Sequence, residues 1–479
     1  MNGKVGLKKA VLINATSKYL NIIVNVIVSA ILARIISPED YGIMAIITVF
    51  SSFFSTMSDM GFGTAVIQDK TLSRKDMNSI FSFSIYISIF LMGIFYLASY
   101  IIGFFYNKDI LVQMGHWLSI SLLFNSMNMV PNGVLSREKR FLEMAFRNIV
   151  VYLICAIIAI IIAFAGFGVY ALIIQSILSS FLMFLWSEIL VKLRFCIKFE
   201  VESIKKIAKY SGYQYAFSLL NYFSRNLDNL LAGKFIGAKE LAYYNRAYTL
   251  MLYPVNNITG VITPVLHPIL SDYQNDKKYI YEKYIALIKL IALISIYVEI
   301  YCVIAAPDII RLIYGNKWEN SINCFRILSL AIITQMVTGT SGSVFQALGE
   351  TRLLFIAGTI NVLITITSTI FGIIFGSSID FLALCVSLSY ICHFFISYYI
   401  MVKYAFKGSY MHFLKEFRME IVIFIVLLMF GIICPINFKT NLANVVGKGV
   451  YLGVIYVVGI YITKQYKYFE VLIKRKRYE

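Results

Sequence analysis

The sequence predicts an all-α integral membrane protein with fourteen transmembrane helices, arranged as two six-helix bundles and a C-terminal helix pair. The first observation is composition: the 479 residues are 59% hydrophobic and only 14% charged, with a mean hydropathy of +0.77. Soluble domains carry about a quarter charged residues. The other two observations are the spacing of the apolar runs and an internal repeat. At about 20 residues per membrane-spanning helix, this length leaves no room for a large soluble domain.

Fourteen apolar runs are bounded by charged residues or by glycine and proline, which punctuate membrane helices. The first run is longer than the core of a cleaved signal peptide, so we expect an uncleaved first span. The predicted spans are 11–36, 42–67, 80–105, 110–135, 144–164, 169–191, 207–231, 241–270, 284–306, 322–348, 353–375, 381–402, 417–435 and 445–462.

The basic residues predict the orientation of these spans. Of the 43 Lys and Arg residues, 30 fall on the face that carries both termini, 10 on the opposite face and three within spans. Cytoplasmic loops carry an excess of Lys and Arg, so both termini are predicted to be cytoplasmic. The net charge of +18 therefore needs no nucleic-acid partner. We expect the basic tail Lys474–Arg477 to contact anionic membrane lipids.

A repeat divides the chain into two similar halves. Leu32–Gly42 (LARIISPEDYG) has a counterpart 200 residues later in Ala232–Ala242 (AGKFIGAKELA), and later matches keep the same order at offsets of 208 and 212. A duplicated unit of six spans predicts halves in the same orientation, related by a pseudo-twofold axis along the membrane normal. The predicted domains are 1–200, 201–403 and the terminal pair with its basic tail, 404–479.

Three segments resemble the polysaccharide transporter (Wzx-like oligosaccharide flippase) family of the multidrug/oligosaccharidyl-lipid/polysaccharide (MOP) superfamily. They are Leu32–Gly42, Asp59–Ala65 (DMGFGTA) and Arg225–Gly233 (RNLDNLLAG). The resemblance implies translocation of a polyprenyl-pyrophosphate-linked oligosaccharide from the inner to the outer leaflet of the bacterial cytoplasmic membrane. It would serve synthesis of O-antigen, capsule, exopolysaccharide or a teichuronic-type polymer, with a polysaccharide polymerase as a possible partner.

Arg225 and Asp228 are ionisable residues in the seventh predicted span, one helical turn apart. Charged groups inside a membrane usually face the bundle interior or a water-filled cavity. One interpretation is that Arg225 binds the anionic head of the substrate while Asp228 holds it in place. The other is a neutralised pair that locks two helices together.

Polar residues at helical spacing predict the walls of a hydrated cavity in the first and seventh spans. The candidate substrate-binding residues besides Arg225 and Asp228 are Lys18, Asn21 and Asn25 in the first span and Gln214, Ser218 and Asn221 in the seventh. Snorkelling of Lys18 to cytoplasmic headgroups is the alternative for that residue.

Candidate coupling sites for H⁺ or Na⁺ are Asp59, Glu299 and Asp228, because a carboxylate within a span can exchange an ion. Asp59 precedes a Gly-Phe-Gly sequence and could instead cap or kink its helix. The seven cysteines contain no CxxC pair and the four histidines lack metal-ligand spacing, so neither a metal nor a cofactor is predicted.

Two other functions remain open. An ion-coupled multidrug exporter of the same superfamily would be expected to present net acidity to a cationic cargo, whereas the spans here carry zero net charge. A membrane polysaccharide polymerase or glycosyltransferase would need a large outer loop or a carboxylate cluster, and the outer loops here are short. The sequence thus favours a transporter over an enzyme.

Overall fold

The computed structural model describes residues 22–59, 62–69, 71–197, 200, 222 and 225–473. These residues are almost entirely helical and contain no β-strand. Packing divides the chain into two compact units, Met1–Ala242 and Tyr243–Glu479. The predicted domain limits at 200, 403 and 404 stay a prediction, as does the pseudo-twofold axis.

The first unit is built from the helices before residue 243. Helix α4 pairs along its length with α5, α5 also contacts α2 and α8, and α3 packs on α6. In chain order the helices are α1 (Ile22–Ile35), α2 (Pro38–Asp59), α3 (Phe62–Gln68), α4 (Arg74–Tyr106), α5 (Asp109–Met127), α6 (Met129–Arg137), α7 (Phe141–Phe164), α8 (Val169–Val191) and α9 (225–235).

Local sequence explains where these helices begin. The Ser37 hydroxyl accepts a hydrogen bond from the Asp40 N–H at 3.1 Å, and Pro38 occupies the first helical position of α2, where its missing N–H is not needed. Helix α4 begins with a capping box, in which the Ser73 and Asp76 side chains each accept a hydrogen bond from the other residue's backbone N–H. The sequence Ser37-Pro38-Glu39-Asp40, which lies in the first copy of the repeat, therefore marks the start of α2.

The second unit is organised around one long helix, α11, which contacts α12, α13, α18 and α19 and is the most buried of the long apolar helices. Its helices are α10 (Ala238–Ser271), whose first residues belong to the first unit, α11 (Lys277–Ile313), α12 (Ser321–Ser329), α13 (Ile332–Thr338), α14 (Ser341–Ala347), α15 (Thr351–Phe375), α16 (Ile379–Ile400), α17 (Tyr410–Glu416), α18 (Arg418–Ile432), α19 (Asn441–Ile462) and α20 (Tyr466–Ile473).

Every one of the fourteen predicted spans overlaps a helix in the described residues. Eight described helices are long and apolar enough to cross a membrane, or nine if the bent pair of Ser321–Ser329 and Ile332–Ala347 is one span. The all-α membrane fold is thus confirmed, whereas the number fourteen stays a prediction. Large apolar side chains such as Phe104 and Ile374 are exposed on the outside of these helices, as lipid contact requires.

Proline does not mark the break in either of two helices. The three prolines of the eighth span, Pro254, Pro264 and Pro268, predict a bend or a break, and α10 is an unbroken helix of 34 residues, so the bend stays a prediction. The tenth span contains no proline, but it is bent by 48° between α12 and α13. Membrane helices tolerate proline because neighbouring groups satisfy the freed backbone carbonyl groups.

Candidate functional site

Helix α9 carries the two ionisable residues that the sequence singles out, and the structure places them in different surroundings. Asp228 is buried, with only 6% of its surface exposed, and its Oδ1 accepts hydrogen bonds from the Asn229 backbone at 2.8 Å and side-chain amide at 3.3 Å. Arg225 is exposed. Between these two described side chains there is no ion pair, so the predicted contact is not formed in this structure.

Helix α9 packs against other helices of the first unit through residues in its outer half. The Tyr106 hydroxyl at the end of α4 donates a hydrogen bond to the Leu230 carbonyl at 2.9 Å. Gly233 faces Ile46 of α2 so closely that a Cβ added to the glycine would lie 2.9 Å from Ile46 Cγ1. Lys234 donates a hydrogen bond to the Phe105 carbonyl and lies 4.7 Å from the centroid of the Phe105 ring.

The beginnings of α2 and α10 meet just beyond this contact. A Cβ added to Gly42 would overlap the backbone carbonyl of Ala238, so only glycine permits this approach. Glu39 in the first turn of α2 forms an ion pair of 2.8 Å with Lys108. The two segments matched by the repeat, 32–42 and 232–242, are therefore in direct contact, at the end of the helices that charge distribution predicts to be outside.

Most of the predicted cavity residues lie outside the described residues. These are Lys18, Asn21, Gln214, Ser218 and Asn221, and the Asp59 side chain is likewise not described. Asn25 lies on α1, in the described part of the first span. The two predicted polar stripes therefore stay a prediction.

Glu299, the candidate coupling residue of the second unit, is buried on α11 with 3% of its surface exposed. Its Oε2 accepts a hydrogen bond of 2.9 Å from the backbone N–H of Ile333, in the first turn of α13. The first N–H groups of a helix lack partners within the helix. Glu299 supplies a hydrogen-bond acceptor for one of these N–H groups, at the point where the tenth span is bent. Its carboxylate lies at the positive end of the α13 dipole.

Sequence reasoning missed several charged clusters because their members are distant in the chain. Lys289, for which snorkelling is the simplest prediction, is instead buried and forms an ion pair of 2.9 Å with the partly exposed Glu416. Lys448 on α19 forms a 2.7 Å ion pair with the buried Asp308 on α11. Nothing in the local sequence around either lysine identifies its partner.

Arg147 is a buried cation of the first unit, near the start of the predicted span 144–164, and the charge distribution places it on the cytoplasmic face. Its guanidinium donates hydrogen bonds to the Ser187 hydroxyl and to the side-chain carbonyls of Asn132, at 3.0 Å, and Asn148, at 2.9 Å. Neutral oxygens thus satisfy this cation and join α6, α7 and α8.

Comparison with known proteins identifies the family. Residues 31–323 match the family described as "Polysaccharide biosynthesis protein", which covers more than half of the chain. The chain belongs to this family. The resemblance carried by the three sequence segments is therefore confirmed at the level of this family.

Two curated relatives of this polysaccharide biosynthesis protein span most of its length. The teichuronic acid biosynthesis protein TuaB of Bacillus subtilis is 25% identical over 339 residues, which cover 70% of this chain and 69% of TuaB. The lipopolysaccharide biosynthesis protein WzxC of Escherichia coli is 22% identical, over 79% of this chain and 77% of WzxC.

The fold is also that of a solved membrane protein. The lipid II flippase MurJ, in its inward closed conformation, superposes with a TM-score of 0.74 over 96% of this chain and 100% of the MurJ chain. At 17% identity this likeness shows the fold alone. Family and fold together describe a multi-pass membrane protein of polysaccharide biosynthesis.

Proposed function

We propose that this protein is a flippase that moves a polyprenyl-pyrophosphate-linked oligosaccharide from the inner to the outer leaflet of the bacterial cytoplasmic membrane. Its product would feed synthesis of a surface polysaccharide. The proposal rests on the family, whose relatives are named for teichuronic acid and lipopolysaccharide biosynthesis, and on the position of one arginine.

The observation that carries the proposal is the exposure of Arg225, which lies within the predicted seventh span, 207–231. Arg225 is the first described residue of α9 and lies ten residues, or roughly 15 Å, before its predicted outer end at residue 235. An arginine at such a depth that faced lipid would cost several kcal/mol. An exposed guanidinium is therefore best explained by a hydrated space, and it leaves the guanidinium available to a ligand.

A pyrophosphate needs such a group to cross the bilayer. An unpaired anion transferred to an apolar medium loses its hydration, at a cost of many kcal/mol. Arginine stays protonated in almost any environment and its planar fork binds phosphate oxygens bidentately. Arg225 would bind the anionic head along the path while the polyprenyl tail remains in lipid.

Alternating access would release the cargo outside. At the predicted outer end of the first unit, α9 packs against α2 and α4, and Gly42 packs against Ala238. Opening there would require α9 to leave these neighbours. Asp59, Glu299 and Asp228 would couple this movement to H⁺ or Na⁺, and no other cofactor enters the proposal.

The membrane context follows from the same proposal. Both termini would be cytoplasmic, with the tail Lys474–Arg477 against anionic lipids. A polysaccharide polymerase could take up the flipped product on the outer side.

Leaflet transfer measured on the purified chain tests the proposal. The full chain is reconstituted into liposomes with a fluorescent polyprenyl-pyrophosphate oligosaccharide, and the fraction accessible to a membrane-impermeant quencher is followed with time. We expect transport by the wild type, partial transport by Arg225→Lys and none by Arg225→Ala.

Lys278→Ala is the matched control, because Lys278 is an exposed cation at the start of α11 and is not one of the predicted cavity residues. Each variant is first checked for wild-type yield and thermal unfolding. Wild-type transport by a well-folded Arg225→Ala would show that Arg225 is not the binding group. Absence of transfer by the wild type would overturn the function itself.

A further inference from the structure

A basic pocket occurs in the second unit, between α11, α12 and the hairpin formed by α18 and α19. It encloses about 590 Å³, and its charged lining residues are Asp308, Arg311, Arg326 and Lys448. All four lie at the end of the unit that the charge distribution predicts to be outside. None belongs to the residues assigned to the transport path.

The charges of this pocket are held in place by the fold. Lys448 pairs with Asp308 at 2.7 Å, and Asp308 Oδ1 also accepts a hydrogen bond of 2.9 Å from the Asn444 amide. The Asn444 side chain in turn bonds the backbone of Phe438, in the loop between α18 and α19. This network fixes the hairpin against α11 and fixes the ammonium of Lys448 at the pocket wall.

Arg326 is the cation that this network leaves uncompensated. Its Nε donates to the Val303 carbonyl at 3.2 Å, and no carboxylate of the described residues pairs with its guanidinium. Arg311 pairs with Glu319 at 3.0 Å, but it also lines the pocket. Arg311, Arg326 and Lys448 carry three positive charges, and Asp308 and Glu319 carry two negative charges. The net charge of these groups is therefore +1, and Arg326 is the member without an ion-pair partner among them.

Apart from Asn437, the remaining wall is apolar, and part of it is exposed on the surface of the unit. Ile432 lines the pocket with 72% of its surface exposed, and the adjacent Ile433 is 71% exposed. A ligand that fits would therefore combine an anionic head, small enough for this volume, with an apolar chain that lies along these isoleucines.

We propose that this pocket binds the phosphate group of an anionic lipid, with Arg326, Arg311 and Lys448 as its ligands and the acyl chains along Ile432 and Ile433. Basic pockets between membrane helices recognise phospholipid headgroups by the same chemistry. Arginine suits a phosphate diester because its fork donates two parallel hydrogen bonds. The bound lipid would bridge α11, α12 and the terminal hairpin.

Native mass spectrometry of the full chain tests this site. The protein is released from nanodiscs that contain phosphatidylglycerol and phosphatidylcholine in equal amounts, and retained lipid is counted. We expect the wild type to retain phosphatidylglycerol preferentially. Arg326→Gln and the double variant Arg311→Gln/Arg326→Gln should reduce this preference roughly tenfold, because each removes a charge-assisted hydrogen bond.

Lys439→Gln is the matched control, since Lys439 is an exposed cation in the same hairpin loop and does not line the pocket. It should retain the lipid as the wild type does. Lys448 is left unchanged, because its removal would leave Asp308 buried without its ion pair.

Two further measurements separate the sources of phosphate. Millimolar inorganic phosphate or pyrophosphate is added to the detergent-purified chain, and thermal unfolding is measured against the same addition of phosphatidylglycerol. We expect stabilisation by the lipid alone, lost in Arg326→Gln. Stabilisation by inorganic phosphate to the same extent, or equal lipid retention by the wild type and the double variant, would overturn the proposal. Leaflet transfer is scored separately, so failure here leaves the flippase proposal intact.

Discussion

The carboxylate of Glu299 accepts a hydrogen bond from the backbone N–H of Ile333, which is 34 residues later in the chain and is the second residue of α13. The contact joins the central helix of the second unit to the broken tenth span. Glu299, which is predicted to exchange an ion, thus also accepts a hydrogen bond from a backbone N–H group at the start of α13. These two roles can be separated by mutation.

Glu299→Gln keeps an acceptor for Ile333 but removes the charge, whereas Glu299→Ala removes both. We expect Glu299→Ala to lower the free energy of unfolding by about 1–3 kcal/mol, because a buried N–H loses its partner. Glu299→Gln should unfold like the wild type but lose the dependence of leaflet transfer on an imposed H⁺ or Na⁺ gradient. A gradient dependence unchanged in Glu299→Gln would leave Glu299 with the structural role only.

Asp228→Asn tests the neighbour of Arg225. Asparagine can still accept the hydrogen bond of the Asn229 N–H, so we expect normal folding. A neutral side chain would no longer compete for the guanidinium one turn away, and substrate should bind at least as tightly and leave several-fold more slowly. Single-turnover leaflet transfer and substrate binding are measured together, and faster release would contradict the assignment.

Gly42→Ala is expected to separate the beginnings of α2 and α10. The added methyl group would overlap the Ala238 carbonyl, and backbone cannot move aside as a side chain can. We expect a cysteine placed at the buried Asn229 to react several-fold faster with a membrane-impermeant maleimide added outside. Gly93→Ala is the control, since a Cβ there meets no atom within 4 Å. Equal labelling of both variants would show that the contact does not limit access.

The ion pair of Glu416 with Lys289 gives a pH dependence of stability. The hydrogen bond from Lys289 lowers the pKa of Glu416 below its ordinary value of 4.5. A carboxyl group whose pKa falls on folding stabilises the protein above its unfolded-state pKa, and this contribution is lost as the pH falls through the folded-state pKa.

We therefore expect Glu416→Gln to lower the unfolding temperature at pH 7 by a small amount, on the order of 1–2 °C, because the carboxylate is partly solvated. The difference from the wild type should shrink below pH 4.5. Glu282→Gln, at an exposed position on α11, should show no such trend. A difference that stays constant from pH 7 to pH 3.5 would show that the ion pair does not stabilise the fold.

The positions of the helices could be predicted from the sequence because lipid contact requires continuous apolar runs. The runs at 144–164 and 169–191 correspond closely to α7 and α8. The bend after Ser329 could not be predicted, since the segment lacks proline and the Glu299 carboxylate that accepts a hydrogen bond from Ile333 lies on a different helix.

The candidate site could be predicted only in part, because its contacts join segments that are distant in the chain. Charged residues within spans are conspicuous, and Asp228 and Glu299 are indeed buried. Their partners are set by packing between distant segments. Lys289 and Glu416 are 127 residues apart, and Asp308 and Lys448 are 140 apart, so no periodicity or spacing connects them.

The approach of Gly42 to the Ala238 backbone involves no ionisable group. The free energy of this packing contact should therefore not vary with salt concentration or pH. The neighbouring ion pair of Glu39 with Lys108 should, in contrast, depend on both. A bacterium does not control the ionic strength or pH of the medium outside its membrane. At the predicted outer end of the first unit, packing between two backbones would therefore hold the start of α2 against the start of α10 equally well when that medium changes.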